Sequence, residues 1–245
     1  MNIDRPAVRA LILSIGVALA GLLAGSGFAR ARAADRYVTV KGVSEREVRA
    51  DLAIWPLHLV GADNDLTMAN TKLSKSIAGV RAFLLKHGID TSQIQMTDFS
   101  ATDAYSNQFV NEQKVTNRYV VHQTILVRSN HPDQVLAASQ QIGELASIGV
   151  PISSGTDDYG SRGGPTFIFS GLNRLKPEMI ADATARAREA ASQFARDSRS
   201  DLGGIRQANQ GIFEILPRDQ APGIPESGQI AKIVRVVATI DYYLR

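Results

Sequence analysis

The chain has four histidines, His58, His87, His122 and His131, and no two stand at a metal-ligand spacing such as His-x-x-x-His. His58 and His122 fall in predicted strands, and His131 precedes a proline. His87 stands at a predicted helix end, where the backbone carbonyls favour a cation. The absence of cysteine removes thiolate metal sites, disulfides and cysteine nucleophiles together. A serine nucleophile on a strand-to-helix elbow needs Gly-x-Ser-x-Gly, which neither Gly25-Ser26-Gly27 nor Ser153-Ser154-Gly155 supplies. Asp157 and Asp158 are adjacent carboxylates in a predicted strand, where neighbours point to opposite faces, so they make a poor shared acid and base. The Gly160 to Gly164 turn lacks the Lys-Ser/Thr of a phosphate loop. No catalytic, cofactor-binding or metal-ligating residue is assigned, no cofactor is expected, and the chain reads as a non-enzyme.

Interaction chemistry is better represented. Trp55, the single tryptophan, stands beside Pro56 in a predicted edge strand, where an exposed edge with an aromatic could recruit another chain by strand addition. Tyr242 and Tyr243 are neighbours near the C-terminus, so one ring points inward and one outward, and the outward one is the interface candidate.

The elements that position these residues follow from hydrophobic spacing. Tyr37 to Val40 alternates as a strand, Gly42 to Glu47 reads as a turn, and Val48 to Val60 as a second strand, with Pro56 marking an edge or bulge. Leu66, Leu73, Ile77, Val80 and Leu84 share one face of a helix that Asp63 or Asp65 can cap and Gly88 can close. Ile94 to Ala104 and Arg118 to Val127 read as a hairpin joined by the polar stretch from Ser106 to Thr116. A helix from Pro132 to Leu145 links to a second set: strands at Val150 to Tyr159 and Thr166 to Ser170, a helix from about Pro177 to Leu202, and strands at Ile205 to Leu216 and Ile230 to Tyr243. In that helix Ala183, Ala187, Ala191 and Ala195 form a stripe of small side chains that lets it sit close to its neighbour.

The expected fold is therefore α+β: two related strand-strand-helix-strand-strand halves, with antiparallel sheets and helices packed on one face. The first half spans about 36–130, the linking helix about 131–148, and the second half about 149–245.

Ahead of this domain, residues 1–33 read as a signal peptide or signal anchor. Ala10 to Ala29 is an uncharged, mostly apolar run between Arg5, Arg9 and Arg30, Arg32, which directs the rest of the chain across a membrane. Its twenty residues would reach about 30 Å as a helix, which favours retention as an anchor. The small-residue pattern Ala31-Arg32-Ala33 favours cleavage instead. Of the 27 Lys+Arg four lie before Ala34, and of the 24 Asp+Glu one does, so the remainder carries 27 − 4 = 23 against 24 − 1 = 23. A neutral domain with scattered basic residues is a poor nucleic-acid partner.

Three stretches together resemble a known family. Val38-Thr39-Val40-Lys41-Gly42 followed by Ala50-Asp51-Leu52-Ala53, the Ala-rich helix running into Leu202-Gly203-Gly204-Ile205, and the closing Val234 to Leu244 are similar to the SIMPL-domain family. That family often has Gly-x-Gly where this chain reads Gly42-Val43-Ser44, and Pro-Asp where it reads Ala50-Asp51. The resemblance implies a periplasmic or outer-membrane-associated envelope protein of α+β fold, linked to stress defence, with ring assembly in some relatives. It supplies no catalytic residues. The leading expectation is a non-enzymatic, exported homo-oligomer that contacts envelope proteins, or the membrane through its N-terminal segment. A ligand- or cell-wall-binding module and an enzyme with a dispersed site are the alternatives.

Overall fold

The computed structural model describes residues 13–26, 36–106, 116–153 and 164–245. Residues 13–26 form helix α1, whose apolar side chains, Leu13, Leu22 and Leu23 among them, are exposed. Among the described residues no helix is long and apolar enough to cross a membrane. The flanks of the run from Ala10 to Ala29 and the cleavage pattern lie outside the described residues, as do Asp157, Asp158 and most of the turn from Gly160 to Gly164.

The domain is α+β. Its strands are β1 (Tyr37–Arg49), β2 (Leu52–Asp63), β3 (Ile94–Asp103), β4 (Tyr119–Ser129), β5 (Ile152–Ser153), β6 (Thr166–Ile168), β7 (Leu202–Pro217) and β8 (Ala231–Leu244). Its helices are α2 (Leu66–Lys86), α3 (Pro132–Gln140), α4 (Gly143–Ser147) and α5 (Leu172–Asp197). Contacts divide the chain into two compact units. One comprises Met1–Glu45, Pro177–Phe213 and Arg235–Arg245, and the other Arg46–Lys176 and Glu214–Val234.

The strand-strand-helix-strand-strand order occurs twice, as expected, but the strands do not stay within consecutive halves. A three-stranded sheet has the order β1-β8-β7, joining the start of the domain to its end. β1 and β8 run antiparallel: Leu244 N–H donates to Arg36 at one end, and Ala50 N–H donates to Ile230 at the other, both at 2.8 Å. The second sheet has the order β3-β4-β2, with β5 and β6 both paired to the other side of β2. β5 and β6 therefore join the first half's sheet instead of forming a hairpin with each other. The linking helix is two short helices, α3 and α4.

The turn expected at Gly42 to Glu47 is strand. The reason lies in α5, whose buried face is Met179 and the stripe Ala183, Ala187, Ala191 and Ala195. A Cβ on Gly42 would stand 1.9 Å from the Ala183 carbonyl oxygen, so helix backbone lies directly on strand backbone there. Ser44, fully buried, donates from Oγ to Asp182 of the same helix at 2.7 Å. The chain reverses instead at Ala50 and Asp51, where the Asp51 carboxylate accepts from Ser170 N–H at 2.8 Å and from its hydroxyl at 2.9 Å. α5 also begins earlier than Pro177, at Leu172, and ends before Arg199, which takes φ +53°; Gly203 and Gly204 belong to β7.

α2 repeats the device on the other sheet. Asp65 caps it, accepting Met68 N–H at 3.0 Å, and a Cβ on Gly61 of β2 would stand 2.3 Å from the Ala69 carbonyl oxygen. Leu66, at the exposed start of α2, does not join the buried face that Ala69, Leu73, Val80 and Leu84 form.

Substituting Gly42→Ala should lower stability by about 1–3 kcal/mol, because the obstacle is backbone that no rotamer change can move. Gly204→Ala, with nothing within 4 Å of its Cβ, should leave thermal unfolding unchanged. Equal melting temperatures for the two variants would refute the close approach at Gly42.

Candidate functional site

β2 is a central strand. β4 lies along Ala53 to Asp63 on one side, and on the other β6 meets Leu52 to Ile54 and β5 meets His58 and Leu59. Pro56, which has no backbone N–H, stands opposite Leu126 of β4 and falls between the two short pairings on the other side of the strand. Trp55 is consequently core: it is fully buried with Leu57, Leu59 and Phe167, and its indole Nε1 has no hydrogen-bond partner. Its ring offers no surface to another chain, which corrects the edge-strand reading. Tyr242 is likewise buried, whereas Tyr243 is exposed, so of the two rings only Tyr243 keeps the candidacy.

The histidines are dispersed. His58 Nδ1 lies 3.0 Å from Thr124 Oγ1 across the β2–β4 ladder, and His131 precedes α3. His87 stacks on Phe83 with ring centroids 4.5 Å apart and approaches Glu144 at 3.5 Å. Among the described residues no group of histidine and carboxylate side chains could hold a metal ion. Carboxylates pulled below their ordinary range have local causes. Asp103 is held down by hydrogen bonds from the Arg118 guanidinium, 2.9 Å away, which also lies over the rings of Tyr105 and Tyr119. Glu144 is held down first by Lys86 at 2.9 Å, then by His87. Lys86 and Glu144 border an apolar cavity of about 230 Å³ walled by Phe83, Leu145 and Ile148.

One charged residue escaped the sequence reading although the pattern contains it. Lys232 occupies an inward position of the alternation that buries Val234, Val236 and Ala238, and it is fully buried. Its ammonium donates to the Glu226 carbonyl at 2.7 Å and to the Glu226 carboxylate, pinning the turn before β8.

β7, like the end strand β3 of the other sheet, is largely exposed. It ends the three-stranded sheet, and residues 205–212 are all exposed, including Ile205 at 52% and Ile212 at 77%. Edge strands are commonly shielded by proline, bulges or clustered charge. β7 has its only proline at its last position and only two charges, Arg206 and Glu214. The Arg206 guanidinium lies 4.1 Å over the Tyr37 ring. Beside β7 runs a mostly apolar groove of about 200 Å³, lined by Ile180 and Thr184 of α5, by Ala208 to Gln210, and by inward residues of β8.

These parts define an α+β protein with an exposed end strand, β7, on its three-stranded sheet. The chain belongs to the SIMPL family: the family model, described as a protein of unknown function (DUF541), matches residues 38–240. No curated protein matches it. Two solved structures from Listeria innocua are similar over 79% of this chain. An uncharacterized conserved protein is 12% identical over 91% of its own length with a TM-score of 0.20, and a hydrolase is 11% identical over 90% with a TM-score of 0.22. At those scores neither transfers an activity.

Two measurements check the placements. Trp55, as the sole tryptophan, should emit at short wavelength and resist quenching by iodide; ready quenching in the folded protein would return it to the surface. Arg118→Leu should raise the Asp103 carboxyl toward its ordinary value in an NMR titration. A lowered folded-state value stabilises fully above the unfolded-state value, near 3.8, and that contribution disappears as pH falls through the folded-state value. The variant should therefore lose stability at neutral pH and show a shallower decline on acidification.

Proposed function

We propose that this SIMPL protein is a non-enzymatic envelope protein, exported by its N-terminal segment, that assembles with itself and serves in stress defence. The observation that carries the self-assembly reading is β7: an end strand whose outer edge pairs with no other described strand, and whose isoleucines are exposed, offers hydrogen bonds and apolar area to another chain. Export is supported by the basic flanks of the apolar N-terminal run and by the exposed apolar helix α1. Stress defence rests on the family resemblance.

Light scattering on the full chain, purified in a mild detergent, should give a protein mass that is a multiple of 26.4 kDa at micromolar concentration. A strict monomer would overturn self-assembly. Fractionation should place the protein in the envelope, and its intact mass there reads out whether residues 1–33 remain. Recovery of the full-length chain in the cytosol would overturn export.

A further inference from the structure

Resting on the self-assembly reading, we infer that two copies of this chain pair their β7 strands antiparallel about a twofold axis at Gln210, continuing the sheet as β1-β8-β7-β7-β8-β1.

The strand is self-complementary about that residue. Arg206 and Glu214, its only charges, stand four residues to either side of Gln210, and their even separation puts them on one face of a regular strand. With Gln210 opposite itself, each Arg206 faces the partner's Glu214, so the dimer gains two opposite-charge cross-strand pairs. The same register sets Ala208 against the partner's Ile212, and Ile205 against the partner's Ile215. A slip of one residue would set Arg206 against phenylalanine or isoleucine, and a slip of two against isoleucine or leucine. Charge thus selects one register where apolar contacts alone would tolerate several.

The structure leaves room for this pairing. Among the described residues no strand lies beyond β7, and residues 205–212 are exposed along the edge. Pro217, which cannot donate to a ladder, comes only at the end of the strand. Arg206 is engaged on the Tyr37 ring, and in the dimer its long, flexible stem lets the guanidinium turn from there toward a carboxylate on the neighbouring strand. Because the contact is isologous, it consumes the β7 edge of both copies and closes a dimer at this edge instead of propagating a fibre.

The absence of native cysteine allows a direct test on the full chain in mild detergent. Opposed antiparallel residues have Cα atoms about 4.5–5.5 Å apart, within disulfide reach. Q210C should form an intermolecular disulfide under mild oxidation. A208C should not, because its own copy would lie four residues along the partner, roughly 13 Å away. R206E alone and E214R alone each convert both attractive pairs to repulsive ones and should weaken the dimer roughly tenfold or more. An equimolar mixture of the two variants restores both pairs, and association should return. Rescue by mixing cannot come from repair of a misfolded variant.

If the protein associates but Q210C does not cross-link, or cross-links no better than A208C, this interface is wrong while self-assembly stands. If mixing fails to rescue variants that each fold normally, the register is wrong. A protein that stays monomeric at micromolar concentration overturns both.

Discussion

In each sheet a helix rests on bare strand backbone, α5 at Gly42 and α2 at Gly61, and the other features of the domain accommodate those two contacts. A side chain at either glycine would collide with helix backbone, at 1.9 Å from Ala183 and 2.3 Å from Ala69. The alanine stripe of α5 is the matching half of the arrangement, since larger residues there would lift the helix and open voids along its length. Closeness has a geometric consequence. A helix about 10 Å wide covers roughly two strands spaced near 4.8 Å, and the sheet under α5 has three. The inward residues of β1 and β8, from Val40 to Ser44 and from Val234 to Tyr242, are buried, and β7 is left open.

The second sheet solves the same problem differently. β2 lies in its middle because two short segments from later in the chain, β5 and β6, line its far side. This placement buries Trp55 and Phe167 together in the core. On that far side Pro56 falls between the two pairings. The surface ion pairs, such as Arg118 with Asp103 and Lys86 with Glu144, are partly exposed and add local order, not the fold itself. Lys232 differs, because its ammonium lies in the interior and is answered by Glu226.

Local signals in the chain were legible wherever the cause was local. The spacing in Leu73, Val80 and Leu84, the cap at Asp65, the alanine stripe of α5 and the alternation of β8 all correspond to structure, because helix and strand periodicity are properties of neighbouring residues. The same alternation contained Lys232, and reading it strictly would have placed that lysine inside. Errors arose where one local pattern has two tertiary meanings. Gly42 signals a turn or a close approach, and only the presence of α5 distinguishes them. Proline next to tryptophan signals an edge, unless strands from elsewhere fill the other side.

By itself, the sequence determined an α+β domain of antiparallel strands, the helix faces, a neutral domain after an apolar N-terminal run with basic flanks, and membership of the SIMPL family, since each depends on residue type and short-range spacing. Tertiary structure alone decided which strands are central and which are edges. β1 pairs with β8 some two hundred residues away, β5 and β6 complete the second sheet, and β7 is left at the margin of the first. Pairing partners are chosen by long-range burial beneath two closely seated helices, a cooperative choice that no local pattern encodes. For that reason burial removes Trp55 from the surface, and β7 is left with an exposed edge.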